Sequence, residues 1–232
     1  TLMRLLKASG KMVSQGTIRH AYPFCDRTNT PLIYKAVPSW YVKVEQASDR
    51  MVELNKNVHW VPDAIGSNRF GNWLDGARDW AVSRNRYWGS CIPIWTCENE
   101  HDTCIGSVAE LAKLSGVVLE DLHRHFVDPV TFPCPECGSV ATRVPEVLDC
   151  WFESGSMPYG QMHYPFENQA HFEANFPAKF ITEGLDQTRG WFYTLMVLST
   201  LIFDTEPFEN CIVTGLILAE DGTKMSKRLK NY

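Results

Sequence analysis

A short polar turn between two apolar stretches restricts how this chain folds more than any other feature. Residues 180–182 (FIT) are β-prone, residues 183–187 (EGLDQ) form a tight polar turn containing Gly184, and the run at 195–203 (LMVLSTLIF) reads as a buried helix. Residues 211–214 (CIVT) are β-prone again, and Gly215 follows. Strand, about sixteen residues of helix and strand make one βαβ crossover, which implies parallel strands and a right-handed connection. Ligands of open α/β sheets bind at the carboxyl ends of the strands. That edge would carry Gly184, Asp186, Gln187 and, one strand over, Gly215. Asp186 or Thr188 is expected to cap the helix between.

Composition narrows the class. At 232 residues, 44% hydrophobic and 12% aromatic, the chain can bury a core as one large domain or one domain with a small insertion. No apolar run reaches the roughly eighteen residues of a membrane span. The first residues read as a helix with a Gly stop, without a signal-peptide pattern. A net charge of −5 does not mark a general nucleic-acid binder, so a basic RNA surface would be local or lie in another part of a longer protein. The start at Thr1 and the ending KRLKNY point to a piece of such a protein. Eight cysteines without a secretory signal indicate a reducing, cytoplasmic compartment, where a paired subset is more often metal-binding than disulfide-bonded.

Along the chain, residues 1–9 read as an amphipathic helix ending at Gly10, and residues 32–46 as strand-rich with Pro38 as a break. A helix is expected around 48–55 and an extended piece at 58–62. Ser67 is expected to cap a helix in which Phe70, Trp73, Leu74, Ala77 and Trp80 share one face. Ser107 and Glu110 make a capping-box pair, with Gly116 as the stop. Residues 147–152 (VLDCWF) read as a buried strand.

Three strings carry chemistry. Residues 215–228 (GLILAEDGTKMSKR) read as a strand to Ala219, a turn at Asp221-Gly222 and a loop presenting Lys224, Ser226, Lys227 and Arg228. Lysines on a mobile loop beside a Gly-bearing strand end suit a polyphosphate, whose leaving pyrophosphate they would neutralise; a solvated basic tail is the plainer alternative. Cys134-Pro-Glu-Cys137-Gly138 is a C-x-x-C knuckle that needs a partner pair, which Cys97 with His101 or Cys97 with Cys104 supplies. Either set suits a Zn²⁺ staple, the alternative being reduced, metal-free cysteine. Arg78, Arg84 and Arg86 with Tyr87 and Trp88 suit phosphate contact and base stacking, or equally salt bridging at a domain junction. Cys91, Cys150 and Cys211 read as small buried residues. The remaining histidines, His123 and His125 among them, show no partner pattern.

These strings, in order, resemble class I aminoacyl-tRNA synthetases. KMSKR at 224–228 is similar to their KMSKS signature, and WFESG (151–155) with EGLDQTRGWFY (183–193) resembles the isoleucyl branch. WAVSRNRYWG (80–89) is similar to the return from the editing insertion in the isoleucyl, valyl and leucyl enzymes, and Arg228 in place of Ser resembles the eukaryotic-type isoleucyl variant. The resemblance implies an α/β fold: the second half of a Rossmann-like nucleotide-binding fold with a small Cys-containing insertion and a strand-rich N-terminal connection. Residues 1–66 would be the connection from the editing domain, 67–96 the return into the catalytic domain, 97–144 the insertion and 145–232 the second half of the nucleotide fold.

The resemblance also implies roles. Lys224 and Lys227 would hold the ATP phosphates and stabilise the transition state, flanked by Met225 and Ser226. Gly215 and Leu216 would meet adenine, and Gly184 and Asp186 the nucleoside, with Asp186 on the ribose hydroxyls. Glu183 and Gln187 would border the aminoacyl group, and Trp151 and Trp191 would wall the isoleucine side chain. ATP with Mg²⁺ is implied, and Zn²⁺ at Cys97, His101, Cys134 and Cys137, with Cys104 possible for His101. The implied partners are isoleucine, tRNA(Ile) and the rest of the parent synthetase, with no membrane. Relatives often carry a second cysteine after Cys25; Thr28 stands there, so no metal is expected. No HIGH-like string occurs, so the chain by itself is expected to be inactive in forming isoleucyl-adenylate. The rival is a zinc-stapled RNA- or protein-binding module without catalysis, which would not need Lys224 and Lys227.

Overall fold

A computed structural model describes residues 2–25, 28–225 and 230–231. The chain divides into two units, one made of Thr1–Val37 with Leu218–Tyr232, the other of Pro38–Ile217. In the first, α1 (Leu2–Ala8) is exposed throughout and stops before Gly10, whose φ of +67° is the left-handed conformation that glycine adopts without strain. The Asp221-Gly222 turn forms as expected. The Thr223 amide and hydroxyl both donate to Asp221 Oδ1, at 2.9 and 2.7 Å, and Leu218 pairs with Lys224 across the turn. Ser226, Lys227 and Arg228 lie outside the described residues.

The larger unit runs in order β1 (Tyr41–Val42), α2 (Ser48–Asn55), β2 (His59–Val61), α3 (Gly71–Asp75), β3 (Trp80–Ala81), β4 (Ser83–Arg84), β5 (Ile94–Cys97), β6 (Asp102–Cys104), α4 (Val108–Ser115) and α5 (Arg124–Val127). It continues with β7 (Phe132–Pro133), β8 (Val140–Arg143), β9 (Val147–Leu148), α6 (Cys150–Gly155), α7 (Met157–Gly160), α8 (Gln169–Asn175), β10 (Ile181–Gly184), α9 (Trp191–Phe203) and β11 (Asn210–Thr214). Strands β10, β11 and β2 form a parallel sheet in that order, with Ile181 opposite Cys211 and Cys211 opposite Trp60. The β10–α9–β11 crossover is the one the apolar pattern requires.

Helix α9 is apolar on most of its faces because it is buried along most of its length, from Phe192 to Thr200, while Leu201 and Ile202 in its last turn are exposed. Phe192, Leu195, Met196 and Val197 pack with Met51 and Leu54 of α2 and with Trp60 of β2. Each such side chain contributes about 1.5–3 kcal/mol of transfer free energy. Trp60 is the centre of this core, its ring 4.9 Å from Phe70 and 5.8 Å from both Phe192 and Phe208. Its N–H donates to Asn55 Oδ1 at 2.9 Å, and Asn55 donates in turn to the Gly66 carbonyl at 3.0 Å, so this buried polar chain is satisfied. A Cβ on Gly66 would lie 2.1 Å from Trp60 Cδ1, which makes glycine obligatory there.

A second core sits in an antiparallel sheet of order β6-β5-β8-β7, where Trp95, Phe132 and Ala141 pack with Leu111 of α4 and Val127 of α5. Its helix α4 is bounded as expected. Ser107 Oγ accepts from the Glu110 amide at 3.1 Å, and Gly116 has a φ of +73°. The Glu110 carboxylate reaches Gly106 N at 2.7 Å instead of completing the box on Ser107.

Other segments depart from expectation. Within 32–46 the described strand is β1 alone, since the segment otherwise finds no ladder partner. Ser67 lies inside a π-helical turn, Ile65–Phe70, its hydroxyl donating to the Asp63 carbonyl at 3.2 Å; Gly76 ends α3, and Trp80 lies on β3. The strand at 147–152 stops at Leu148 because Asp149 caps α6, which also leaves Cys150 exposed instead of buried. The strand expected to reach Ala219 ends at Thr214. The helix expected around 48–55 and the extended piece at 58–62 do form, as α2 and β2, and both join the core built on α9.

Candidate functional site

The parallel sheet ends where the ligand-facing residues were expected. Gly184 is paired with Thr214, so β10 and β11 finish level, and Gly215 begins the exit from β11. The chain leaves β10 through a 3-10 turn, Leu185–Arg189. Asp186 is exposed on this turn and folds back over the strand end: a Cβ on Gly184 would lie 2.9 Å from its Oδ1. Neither Asp186 nor Thr188 caps α9. Thr188 is buried, donating to the Leu185 carbonyl at 2.9 Å and accepting from Arg69 Nε at 3.0 Å. The tight turn instead brings Gln187 Oε1 within 2.9 Å of the Trp191 amide, so Gln187 satisfies the open end of the helix.

Helix α6 lies against α9 at glycine distance. A side chain on Gly155 would meet Leu198 Cδ1 at 2.9 Å and the Thr194 carbonyl at 3.1 Å. The Trp191 indole donates to the Ser154 carbonyl at 3.0 Å. A Cβ on Gly190 would lie 2.6 Å from Gln187 Oε1 and 3.3 Å from Trp151 Cη2, so Trp151, Gln187 and Trp191 gather around one bare backbone position. Trp151 keeps 41% of its surface exposed, far more than a core tryptophan such as Trp60 at 3%. An open indole beside a second half-buried one can wall a branched aliphatic group.

Asp149 positions this tryptophan, and the sequence reading missed it by running the strand through it. Its buried carboxylate accepts from the Trp151 amide at 3.2 Å, from Trp80 Nε1 at 3.2 Å and from Arg84 at 2.6 Å. The available signal was an Asp directly ahead of a helix-compatible CWFE string. Arg84 is thereby committed to structure. Arg78 pairs with Glu45 at 3.3 Å, whereas the Arg86 guanidinium has no ion-pair partner among the described residues.

The cysteine set converges. Cys97 ends β5, His101 lies in the turn to β6, and Cys134 and Cys137 flank the turn after β7, where Gly138 takes a φ of +74°. One ligand atom from each of the four lies within 4.8 Å of all the others. The Cys97 and Cys137 sulfurs are 3.6 Å apart, and Cys134 Sγ is 3.8 Å from His101 Nδ1. Hydrogen bonds from Asn99 and Ser139 hold the Cys137 thiol down at about 5, the thiolate form a metal requires, while burial pushes Cys97 up. Contacts with Cys137 and Cys134 raise His101. Cys104, the alternative fourth ligand, is outside the group. It stands opposite Ile94 in the β5–β6 ladder, and the turn carries His101 to the thiolates instead.

The family described as tRNA synthetases class I (I, L, M and V) matches residues 11–232. This chain belongs to that family. It is 60% identical over 232 residues to an isoleucine–tRNA ligase of Treponema denticola, and 59% identical over 233 residues to a cytoplasmic isoleucine–tRNA ligase of Mus musculus. It covers 100% of its own length in both alignments and 21% and 18% of those proteins, so it spans about a fifth of the relatives it matches. Among solved structures, Mycobacterium tuberculosis methionyl-tRNA synthetase in complex with methionyl-adenylate aligns at a TM-score of 0.53 and 16% identity, over 90% of this chain and 32% of that one. That likeness shows the shared α/β fold.

Of the residues singled out by resemblance to the synthetases, Gly184, Asp186, Gln187, Trp191, Trp151 and Gly215 cluster about the ends of β10 and β11 and the start of α9. Glu183 is exposed on β10, and Leu216 is exposed just past β11. Lys224 and Met225 belong to the other unit, and Ser226 and Lys227 fall outside the described residues.

Proposed function

We propose that this chain is part of an isoleucine–tRNA ligase, which joins isoleucine to the α-phosphate of ATP, releases pyrophosphate and passes the aminoacyl group to the terminal ribose of tRNA(Ile). The observation that carries the reading is the gathering of Trp151, Gln187 and Trp191 around Gly190, beside the level ends of two parallel strands. Trp151 and Trp191 wall the isoleucine side chain, and Glu183 and Gln187 border its polar end. Asp186 takes the ribose hydroxyls, and the backbone at Gly184, Gly215 and Leu216 meets the nucleoside. Lys224 and Lys227, with Met225 and Ser226 between them, hold the phosphates and offset the charge that develops on the leaving pyrophosphate. The isoleucine carboxylate is itself the nucleophile, so positioning and charge stabilisation are the protein's contribution.

Mg²⁺ supplies charge neutralisation on the phosphates when bound. The Cys97, His101, Cys134 and Cys137 set suits Zn²⁺ in a closed, tetrahedral structural site, three thiolates and one imidazole, and its distance from the strand ends in sequence fits a staple. The reading places the protein in the cytoplasm, as the mouse relative's name does for that protein, and among the described residues no helix is long and apolar enough to cross a membrane. Arg228 is read as the eukaryotic-type variant of the signature loop. A module without catalysis is disfavoured by the match of the family along residues 11–232.

The test is isoleucine-dependent ATP–pyrophosphate exchange by the full-length protein. Trp151→Ala should raise the isoleucine KM by about 10- to 100-fold, the worth of one large apolar wall. Lys227→Ala should lower kcat by about 100- to 1000-fold at little change in isoleucine KM. Exchange that ignores isoleucine, or a Trp151→Ala protein with native KM, would remove the reading.

A further inference from the structure

The 3-10 turn between β10 and α9 is tied to the rest of the fold by side chains. Thr188 is fully buried within it and uses its hydroxyl twice, donating to the Leu185 carbonyl at 2.9 Å and accepting from Arg69 Nε at 3.0 Å. The first bond closes the turn on itself. The second joins it to a segment 119 positions earlier in the chain. Arg189, the next residue, makes another tie, its guanidinium lying 4.3 Å from the centre of the Trp73 ring on α3. Trp73 meets α9 in turn, edge-on to Tyr193 at 5.9 Å between ring centres.

The segment that carries Arg69 is the π-helical turn Ile65–Phe70, and it is anchored on both sides of that residue. Phe70 is fully buried, its ring 4.9 Å from that of Trp60. Gly66 lies directly against Trp60 with no room for a Cβ, and its carbonyl accepts from the buried Asn55 amide at 3.0 Å. The same carbonyl accepts from Gly71 N, five residues on, the wide register of a π-helix. Single π-helical turns are rare and recur at functional sites. Here a fixed backbone delivers one directional donor, Arg69 Nε–H, to the hydroxyl of the turn. A 3-10 turn has poor hydrogen-bond geometry of its own, so outside ties of this kind decide where it sits. Two residues of the same turn have proposed ligand roles. Gln187 is bound to the Trp191 amide at the end of α9, and exposed Asp186 folds back over Gly184.

We propose that Thr188 and Arg69 are positioning residues of the isoleucine and nucleoside site: their hydrogen bond locks the Leu185–Arg189 turn to the π-helical segment and so sets Asp186 and Gln187 jointly at the strand ends. The inference rests on the ligase reading above. It gives a role to two residues that touch neither substrate, and it separates them from Trp151, whose loss affects isoleucine alone. A shift of the turn moves the partner of the ribose and the partner of the aminoacyl group at once, and a misplacement of about 1 Å costs about 100-fold in rate.

The experiment is isoleucine-dependent pyrophosphate exchange by the full-length protein, with KM measured for isoleucine and for ATP beside urea unfolding. Thr188→Val removes the hydroxyl at similar shape and should raise both KM values together, about 5- to 50-fold. Thr188→Ser keeps the hydroxyl and should restore most of both. Arg69 is exposed, so Arg69→Met keeps the test open where the buried valine prevents folding. It should reproduce the Thr188→Val effect, and the double variant should be no worse than either single one, since both remove the same bond. Leu54→Ala, a core truncation on α2, should lower the unfolding midpoint and leave both KM values native. Native KM values in Thr188→Val or Arg69→Met, a rise confined to one substrate, a serine variant as impaired as the valine one, additive effects in the double variant, or equal KM changes in Leu54→Ala would overturn the positioning role. Absence of isoleucine-dependent exchange in the unmutated protein would instead overturn the ligase reading, and this proposal with it.

Discussion

Gly190 has no room for a side chain, and the atoms that exclude one are those assigned to the amino acid. An added methyl would meet Gln187 Oε1 at 2.6 Å and the Trp151 ring at 3.3 Å, breaking the bond from Gln187 to the Trp191 amide or pushing the indole aside. Gly190→Ala should therefore cost about 1–3 kcal/mol in urea unfolding and raise the isoleucine KM about tenfold or more in pyrophosphate exchange. Native values for both would show that the three side chains are merely neighbours. The letters TRGWFY name this glycine without explaining it, because one of the groups it avoids, the Trp151 ring, comes from another helix. Asp149 is the converse case: its capping role is local and readable, while its bond to Arg84 spans 65 positions and is not.

Among elements, the Cys-containing sheet depends most on something besides its own packing. Its core is small, and two of its strands are tied through the turn that holds Cys97 and His101 and the turn that holds Cys134 and Cys137. With Zn²⁺ bound there as proposed, removing it with a chelator should abolish amide-exchange protection across β5 to β8 while leaving that of α9 intact, and Cys137→Ser should weaken metal retention by about 100-fold. Acid should release the metal too. The folded value of Cys137, about 5, lies below its ordinary value of 9.0, so its contribution is in place above the ordinary value and is lost as pH falls through about 5. Because a metal needs its ligand thiols deprotonated, a chromogenic chelator assay should find bound Zn²⁺ retained at pH 7 and released on acidification; retention down to pH 3, or unfolding of α9 together with the sheet, would contradict the staple. The C-x-x-C spacing predicted half of this site directly. The choice of His101 over Cys104 was a matter of strand register, since a ladder position keeps Cys104 out of the group while the turn brings His101 to the thiols.

For the whole molecule, the parallel sheet is open along β10. Its neighbour within the described residues is β11, and Thr182 and Glu183 on β10 are exposed. Parallel sheets are normally covered and continued, so an edge of this kind next to the proposed site is where further strands of a longer protein would pair. On the ligase reading, the chain of 232 residues by itself should therefore give less than about a thousandth of the full-length rate of pyrophosphate exchange, the remaining positioning groups being expected on those further strands. Robust exchange by the chain alone would refute this. What the amino-acid order determined without help is the set of short-range facts: the βαβ crossover, the stops at Gly10 and Gly116, the Asp221-Gly222 turn, the C-x-x-C knuckle and the synthetase strings. Such features depend on periodicity, capping and turn chemistry within a few residues. Only the tertiary structure decided that β2 and α2 join the core of α9, that Gln187 and not Thr188 closes the helix end, and that Trp151 and Trp191 share one glycine. The first and last of these join residues far apart in the chain, set by which strand pairs with which and how closely two helices approach; the Gln187 bond spans four residues, and the backbone of the turn between them decides it.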